Sequence, residues 1–209
     1  MPRDNVADRP AVAPNRTARR SLARLITELL APAPMASALL LIVALHSAAS
    51  PAAALRWALV AILFGCAFPF LYIIRGVRRR RLSDHHVRVR EQRLLPITVA
   101  LCSVLVGLAL LFVLGAPRQL LIVVAAMAVG LVVSLLITLV WKISVHTGTV
   151  AGSIVILALI FGPAVLAFEV LAAIVGWARV ELGDHTPAQV VGGGIIGAMT
   201  AAAVFTLLR

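Results

Sequence analysis

Apolar residues in this chain come in long unbroken runs rather than in alternation. The runs cover residues 35–47, 52–74, 94–114, 119–140, 145–161, 164–177 and 190–208, with short polar stretches between them. An apolar run of roughly 18 residues or more is long enough to cross bilayer hydrocarbon as a helix, and a helix satisfies its own backbone donors and acceptors there. A β-barrel is excluded, because its strands would alternate apolar and polar positions. The pattern predicts an all-α fold: a polytopic transmembrane helical bundle of six to seven spans over residues 31–209. The first run is short, so its helix can begin within 27–34 despite Pro32 and Pro34. Pro69 predicts a kink in the second run. Gly115-Ala-Pro117 predicts a tight hairpin, and Gly162-Pro163 ends the fifth run. Pro187 is suited to the first position of the last helix, with Thr186 or Asp184 as its cap. Gly192, Gly193, Gly194 and Gly197 give that helix a small-residue face and predict a close helix contact.

Ahead of the spans, residues 17–30 read TARRSLARLITELL. Leu22, Leu25, Ile26 and Leu29 recur at helical spacing, with Arg19, Arg20 and Arg24 elsewhere on the wheel, which predicts an amphipathic helix lying on a membrane surface. Residues 1–16 are rich in Pro, Ala and charge and predict a disordered tail.

Composition sharpens this picture. The chain is 62% hydrophobic with a net charge of +11, and 18 of its 19 basic residues are Arg, the exception being Lys142. Arg bias beside abundant Ala, Val and Leu suggests a GC-rich bacterial gene, and so a bacterial inner membrane. The N-terminal region and residues 75–93 together carry fourteen basic residues. Span parity puts these two regions, with residues 141–148 and 177–187, on one side, and the positive-inside rule makes that side cytoplasmic. Clustered Arg at such a surface meets anionic membrane lipids. No aromatic interleaving suggests nucleic acid. Cys66 and Cys102 lie inside apolar runs without a Cys-x-x-Cys pair, which argues against a disulfide framework or a zinc site built on cysteine. No cleavable signal peptide is expected from residues 1–30.

The three converging polar loops carry the candidate chemistry. They offer Asp84, His85, His86, Arg88, Arg90 and Arg93; then Lys142, Ser144 and His146; then Arg179, Glu181, Asp184 and His185. Two histidines among several arginines suit phosphoryl transfer: one imidazole attacks phosphorus, the other protonates the departing oxygen, and guanidinium forks hold the phosphate oxygens. The arrangement needs neither metal nor cofactor. Residues 177–194 also set the N-terminus of the last helix beside Asp184 and His185, an end that attracts anions. Four consecutive arginines, Arg78 to Arg81, are instead a topology determinant, and Glu169 stands as an acid within a span.

On these residues the chain resembles the type 2 phosphatidic acid phosphatase family, relatives of the vanadium haloperoxidases. The family's third motif is Ser-Arg, five residues, His, three residues, Asp; here Ala178-Arg179 is followed by His185 and Gln189 at the same spacing. Its second motif, Pro-Ser-Gly-His, reads Ile143-Ser144-Val145-His146. Its first, Lys, six residues, Arg-Pro, has the spacing of His86 and Arg93, with Pro96 displaced by two. The resemblance spans about residues 84–197. It implies an integral-membrane lipid phosphate phosphatase with His185 as nucleophile and His146 as general acid. Arg93, Arg179 and the Ser144 region would bind the phosphoryl group, with Lys142 beside them or acting as a snorkelling anchor. His86 would stand where the family has Lys, and Arg90 is a possible substitute one helical turn on. Gln189 stands where the family has the Asp that orients the nucleophile and stabilises its charged form. Two other classes remain open on the residues: a prenyl-transfer enzyme, suggested by Asp84, and a non-catalytic lipid-binding scaffold or transporter subunit.

Overall fold

The structure, a computed structural model, describes residues 14–209; the expected disordered tail falls mostly on residues 1–13, outside the described residues. The described chain is helical throughout, with nine α-helices: α1 Pro14–Leu29, α2 Pro32–Ser47, α3 Pro51–Ile62, α4 Phe68–Arg78, α5 Leu94–Val113, α6 Arg118–Val140, α7 Val145–Phe161, α8 Val170–Glu181 and α9 Pro187–Leu208. Five helical stretches are long and apolar enough to cross a membrane, and α1 with α2, bent by 41° at their junction, make a sixth if counted as one span. The sequence predicts six to seven; α7 has its expected bounds but, at 17 residues, falls just short of the helices counted here.

Each break has a local cause. Ala31 is extended, at φ −65° and ψ 156°, because it precedes Pro32, whose ring disfavours helical backbone in its neighbour. The long second run passes through a π-helical turn, Leu63–Ala67, just before Pro69, which accommodates the missing N–H within one span, Pro51–Arg78. Ser50 caps α3 by accepting the Ala53 N–H at 3.2 Å. Gly115 turns the α5–α6 hairpin with a φ of 74°. The sixth apolar run enters through a 3-10 segment, Pro163–Glu169, and continues as α8 to Glu181. Arg179 therefore sits on the last helical turn, not in a loop beyond Trp177.

Small side chains decide the packing. α7 and α9 form the most intimate helix pair. A Cβ on Gly197 would collide with the carbonyl of Gly148, and one on Gly193 with the carbonyl of Ser144. The two backbones thus touch directly, as small-residue faces allow. Cross-bonds lock their N-terminal ends: Ser144 N–H donates to Gln189 O at 3.2 Å, and Thr147 Oγ1 donates to Val190 O at 2.9 Å. The apolar core, including Leu40, Val43, Val104, Leu120, Val123 and Phe205, fills the bundle between α2, α5, α6 and α9. Large apolar side chains such as Leu55, Phe112, Leu136 and Met199 face outward, as a lipid-solvated surface requires. On α1 the small Ala23 and Thr27 are buried while Leu22, Leu25 and Leu29 point outward, and the helix packs on α8. The polar loops after α4, α6 and α8 meet at one end of the bundle.

Candidate functional site

At that end α7 and α9 begin side by side, which brings His146 and His185 together. Ser144 caps α7, its hydroxyl accepting the Thr147 N–H at 3.4 Å, so His146 falls in the first turn. Thr186 caps α9 through a full capping box with Gln189, and His185 immediately precedes it. α8 ends at Gly183, whose φ of 74° returns the chain so that Asp184 and His185 N–H groups both reach the Arg179 carbonyl.

His185 is held from both sides. Its Nδ1 lies 3.2 Å from Gln189 Oε1, an oxygen that also accepts the Thr186 N–H at 3.1 Å. An amide oxygen that accepts from the ring fixes the proton on Nδ1 and leaves Nε2 as the atom bearing the lone pair. Nε2 lies 3.4 Å from Arg93 Nη2. Burial, with Arg93, Arg179 and Lys142 close by, pushes the imidazole down to about 3, against a raising contribution from Gln189. The ring is neutral at physiological pH and carries a usable lone pair.

Arg93 is buried at the start of α5. Its Nε donates to Val87 O at 2.8 Å and its Nη1 to Ile143 O at 2.9 Å, so the fork is aimed by main-chain carbonyls from two loops. His146 is buried and its Nε2 has no hydrogen-bond partner among the described residues. Arg179 is wholly buried; its Nη1 lies 3.0 Å from Asp184 Oδ2, yet none of its three guanidinium nitrogens makes an aligned hydrogen bond. Its pairing with Asp184 is one of charge and proximity. The other Asp184 oxygen lies 2.9 Å from Arg88 Nε. Lys142 Nζ donates to the Asp184 carbonyl at 2.5 Å, and burial followed by Arg93 lowers its affinity for a proton.

His146, His185, Arg93, Ser144 and His86 line one cavity of about 470 Å³. Away from this polar end the cavity walls are apolar and come from α2, α4, α5, α6, α7 and α9, including Leu39, Phe70, Met127, Leu131, Ile156 and Ile196. The head is imidazole-rich, with one guanidinium, Arg93, and one carboxylate, Glu28, and the body is apolar.

Not every sequence-predicted residue converges. Arg90 turns away from the cavity, with its Nε 3.4 Å from Glu91 and its Nη1 donating to the Leu139 carbonyl at 3.4 Å; it closes the C-terminus of α6 instead of reaching the polar head of the cavity. Arg179 lies behind the cavity wall rather than on it, and Lys142 braces the Asp184 backbone. His86 reaches the cavity, with its ring centroid 5.1 Å from that of His146, but its Nε2 is taken by Glu28 at 3.0 Å. Burial, then His85 and Arg179, lower the His86 pKa against the opposing pull of Glu28. Asp84, the residue behind the prenyl-transfer alternative, accepts the His86 N–H at 2.8 Å and the Arg88 N–H at 3.3 Å, so its carboxylate serves its own loop. Arg78 to Arg81 are exposed. Two partners escaped sequence reasoning: Asp184 as the counter-ion of Arg179, and Glu28, whose helix read as a surface element with no link to the loops.

Comparison with known proteins adds no relative, since no family model, curated protein or solved structure matches the chain.

Proposed function

We propose that this chain is an integral-membrane lipid phosphate phosphatase that hydrolyses a phosphomonoester or diphosphate through a histidine nucleophile. One observation carries the reading. The Nε2 of His185, its tautomer set by Gln189 and its lone pair turned to the Arg93 guanidinium, opens with the Nε2 of His146, which has no partner among the described residues, onto a cavity that is polar at that end and apolar beyond. The lipid tail would occupy the apolar body and its phosphate the polar head, where Arg93 meets the equatorial oxygens.

The Nε2 lone pair of His185 attacks phosphorus, and the N–P bond forms as the bond to the leaving oxygen breaks. That oxygen takes the proton of the His146 imidazolium, a form favoured by the arriving phosphate anion. Water then attacks the phosphohistidine, His146 takes back a proton, and inorganic phosphate leaves with His185 restored. The buried Arg179 charge, partly offset by Asp184, stabilises the developing negative charge from behind the wall. We further propose a multi-pass arrangement in a bacterial inner membrane with the site at the cytoplasmic face, supported by the gathering of most Arg side chains among the described residues at the polar end.

A second reading has a specific observation behind it. Gln189 supplies orientation without charge, so an inactive descendant that binds lipid phosphates is the alternative. The experiment is a phosphate-release screen with the purified protein in detergent, over phosphatidate, phosphatidylglycerophosphate and prenyl mono- and diphosphates, with and without a chelator. Release that survives chelation and is abolished by His185→Ala supports the enzyme. Absence of release from every substrate, or release untouched by His185→Ala, overturns it.

A further inference from the structure

A second cluster lies at the mouth of the same cavity and uses residues that the phosphoryl chemistry does not need. Glu28 stands in the last turn of α1, and His85 and His86 stand 57 and 58 residues later in the loop between α4 and α5. The Nε2 atoms of both imidazoles lie 3.0 Å from the same oxygen, Glu28 Oε1. All three donor atoms lie within 4.8 Å of one another. The two rings are tilted at 41° with centroids 4.1 Å apart, so their nitrogens converge rather than stack. The loop is preset: Asp84 Oδ1 holds the His86 N–H at 2.8 Å and Val87 adopts a φ of 46°, which turns the chain directly after the pair. His86 is also held by its neighbours, its side chain being only 8% exposed.

Two imidazoles and one carboxylate are a donor set that zinc uses with one position left open. At zinc–ligand bonds of about 2.0–2.1 Å, the edges of a tetrahedron are roughly 3.3 Å, a few tenths longer than the two imidazole–carboxylate separations of 3.0 Å. Magnesium and calcium call for oxygen ligands and find one carboxylate only. We propose that Glu28, His85 and His86 bind one divalent transition-metal ion, zinc by preference, which ties α1 to the loop at the cavity mouth. The open position takes water or an anion. The site is independent of the phosphatase reading, whose chemistry uses no metal.

The test uses full-length protein without a polyhistidine tag, purified in detergent, stripped with a chelator, dialysed and titrated with zinc alone by calorimetry. One equivalent should bind. His85→Ala and Glu28→Gln should each weaken binding by about 100-fold, at least the loss expected of a supporting residue. His46→Ala, at the far end of the bundle against Phe161, should leave binding unchanged. His185→Ala should also retain zinc, even though it ends phosphate release, so the two readings fail separately. If the cluster variants fold poorly, zinc should still raise the Tm of the native chain, by mass action on the folded state, while magnesium does not. No zinc bound, or zinc bound equally well by His85→Ala and Glu28→Gln, overturns the proposal.

Discussion

His185 and Gln189 are joined across one turn, with the imidazole Nδ1 3.2 Å from the amide oxygen that also caps α9. One oxygen therefore orients the proposed nucleophile and starts the helix. Replacing it with carboxylate adds charge where an imidazolium develops. Gln189→Asp should raise phosphate release by about tenfold or more, within the roughly 10⁴ ascribed to loss of a triad carboxylate elsewhere. Gln189→Ala should lower it and loosen α9. Steady-state phosphate release reads both, and a drop on Gln189→Asp would show that another group positions His185.

The depressed proton affinity of His185 has a pH signature. Between the ordinary value of 6.5 and about 3, the unfolded chain binds a proton that the buried ring refuses. The contribution to stability is complete above pH 6.5 and is lost progressively as pH falls toward 3. In thermal unfolding from pH 7 to pH 4, the wild type should lose more Tm than His185→Asn. Parallel curves would show that the ring is not held neutral.

The buried pair of Arg179 and Asp184 predicts an asymmetry. Asp184→Asn leaves a buried guanidinium uncompensated and should cost about 3–5 kcal/mol. Arg88→Ala removes a partner whose side chain is 49% exposed, and should cost no more than about 1 kcal/mol. Chemical denaturation in detergent orders the two, and equal costs would show that the charge of Arg179 is met elsewhere.

Glycine positions on α9 separate packing from helix propensity. Gly197→Ala forces its Cβ against the Gly148 carbonyl and should destabilise by about 1–3 kcal/mol, lowering phosphate release with it. Gly194 faces open space, so Gly194→Ala should be neutral or stabilise by up to about 1 kcal/mol. Indistinguishable Tm values for the two variants would contradict the backbone contact.

Orientation is open to labelling. With Cys66 and Cys102 removed, a single Cys at the exposed Ser83 should resist membrane-impermeant thiol reagents in intact cells and react after lysis. Ready labelling of intact cells would put the polar end outside.

Legibility in the sequence followed the range of the interaction. The bounds of α7 were readable because Ser144 and Gly162-Pro163 are local start and stop signals, and its observed span, Val145–Phe161, is the expected one. The pairing of His185 with Gln189 was readable from the spacing of the motif, although His185 stands just before the cap of α9 and not on the helix itself. Parity of the spans sufficed to bring the three polar loops together. Glu28 was not readable, since nothing in its own helix signals an imidazole 57 residues away. Arg90 misled because motif spacing does not say that a 3-10 turn, Arg90–Gln92, swings that side chain toward the end of α6. The placement of Arg179 behind the wall depended on α8 continuing past Trp177, a choice made by tertiary packing.

The glycine seam between α7 and α9 also acts as a vernier. If α9 slid by one residue, the Cβ of Ile196 or Ala198 would meet the carbonyl that only Gly197 can pass. Sliding is therefore stepped rather than continuous, and the nearest equivalent notch, at Gly193, lies four residues away, a translation of about 6 Å at 1.5 Å per residue. The axial offset between His146 and His185 is accordingly set by this main-chain seam, with the Thr147 hydroxyl pinning its end.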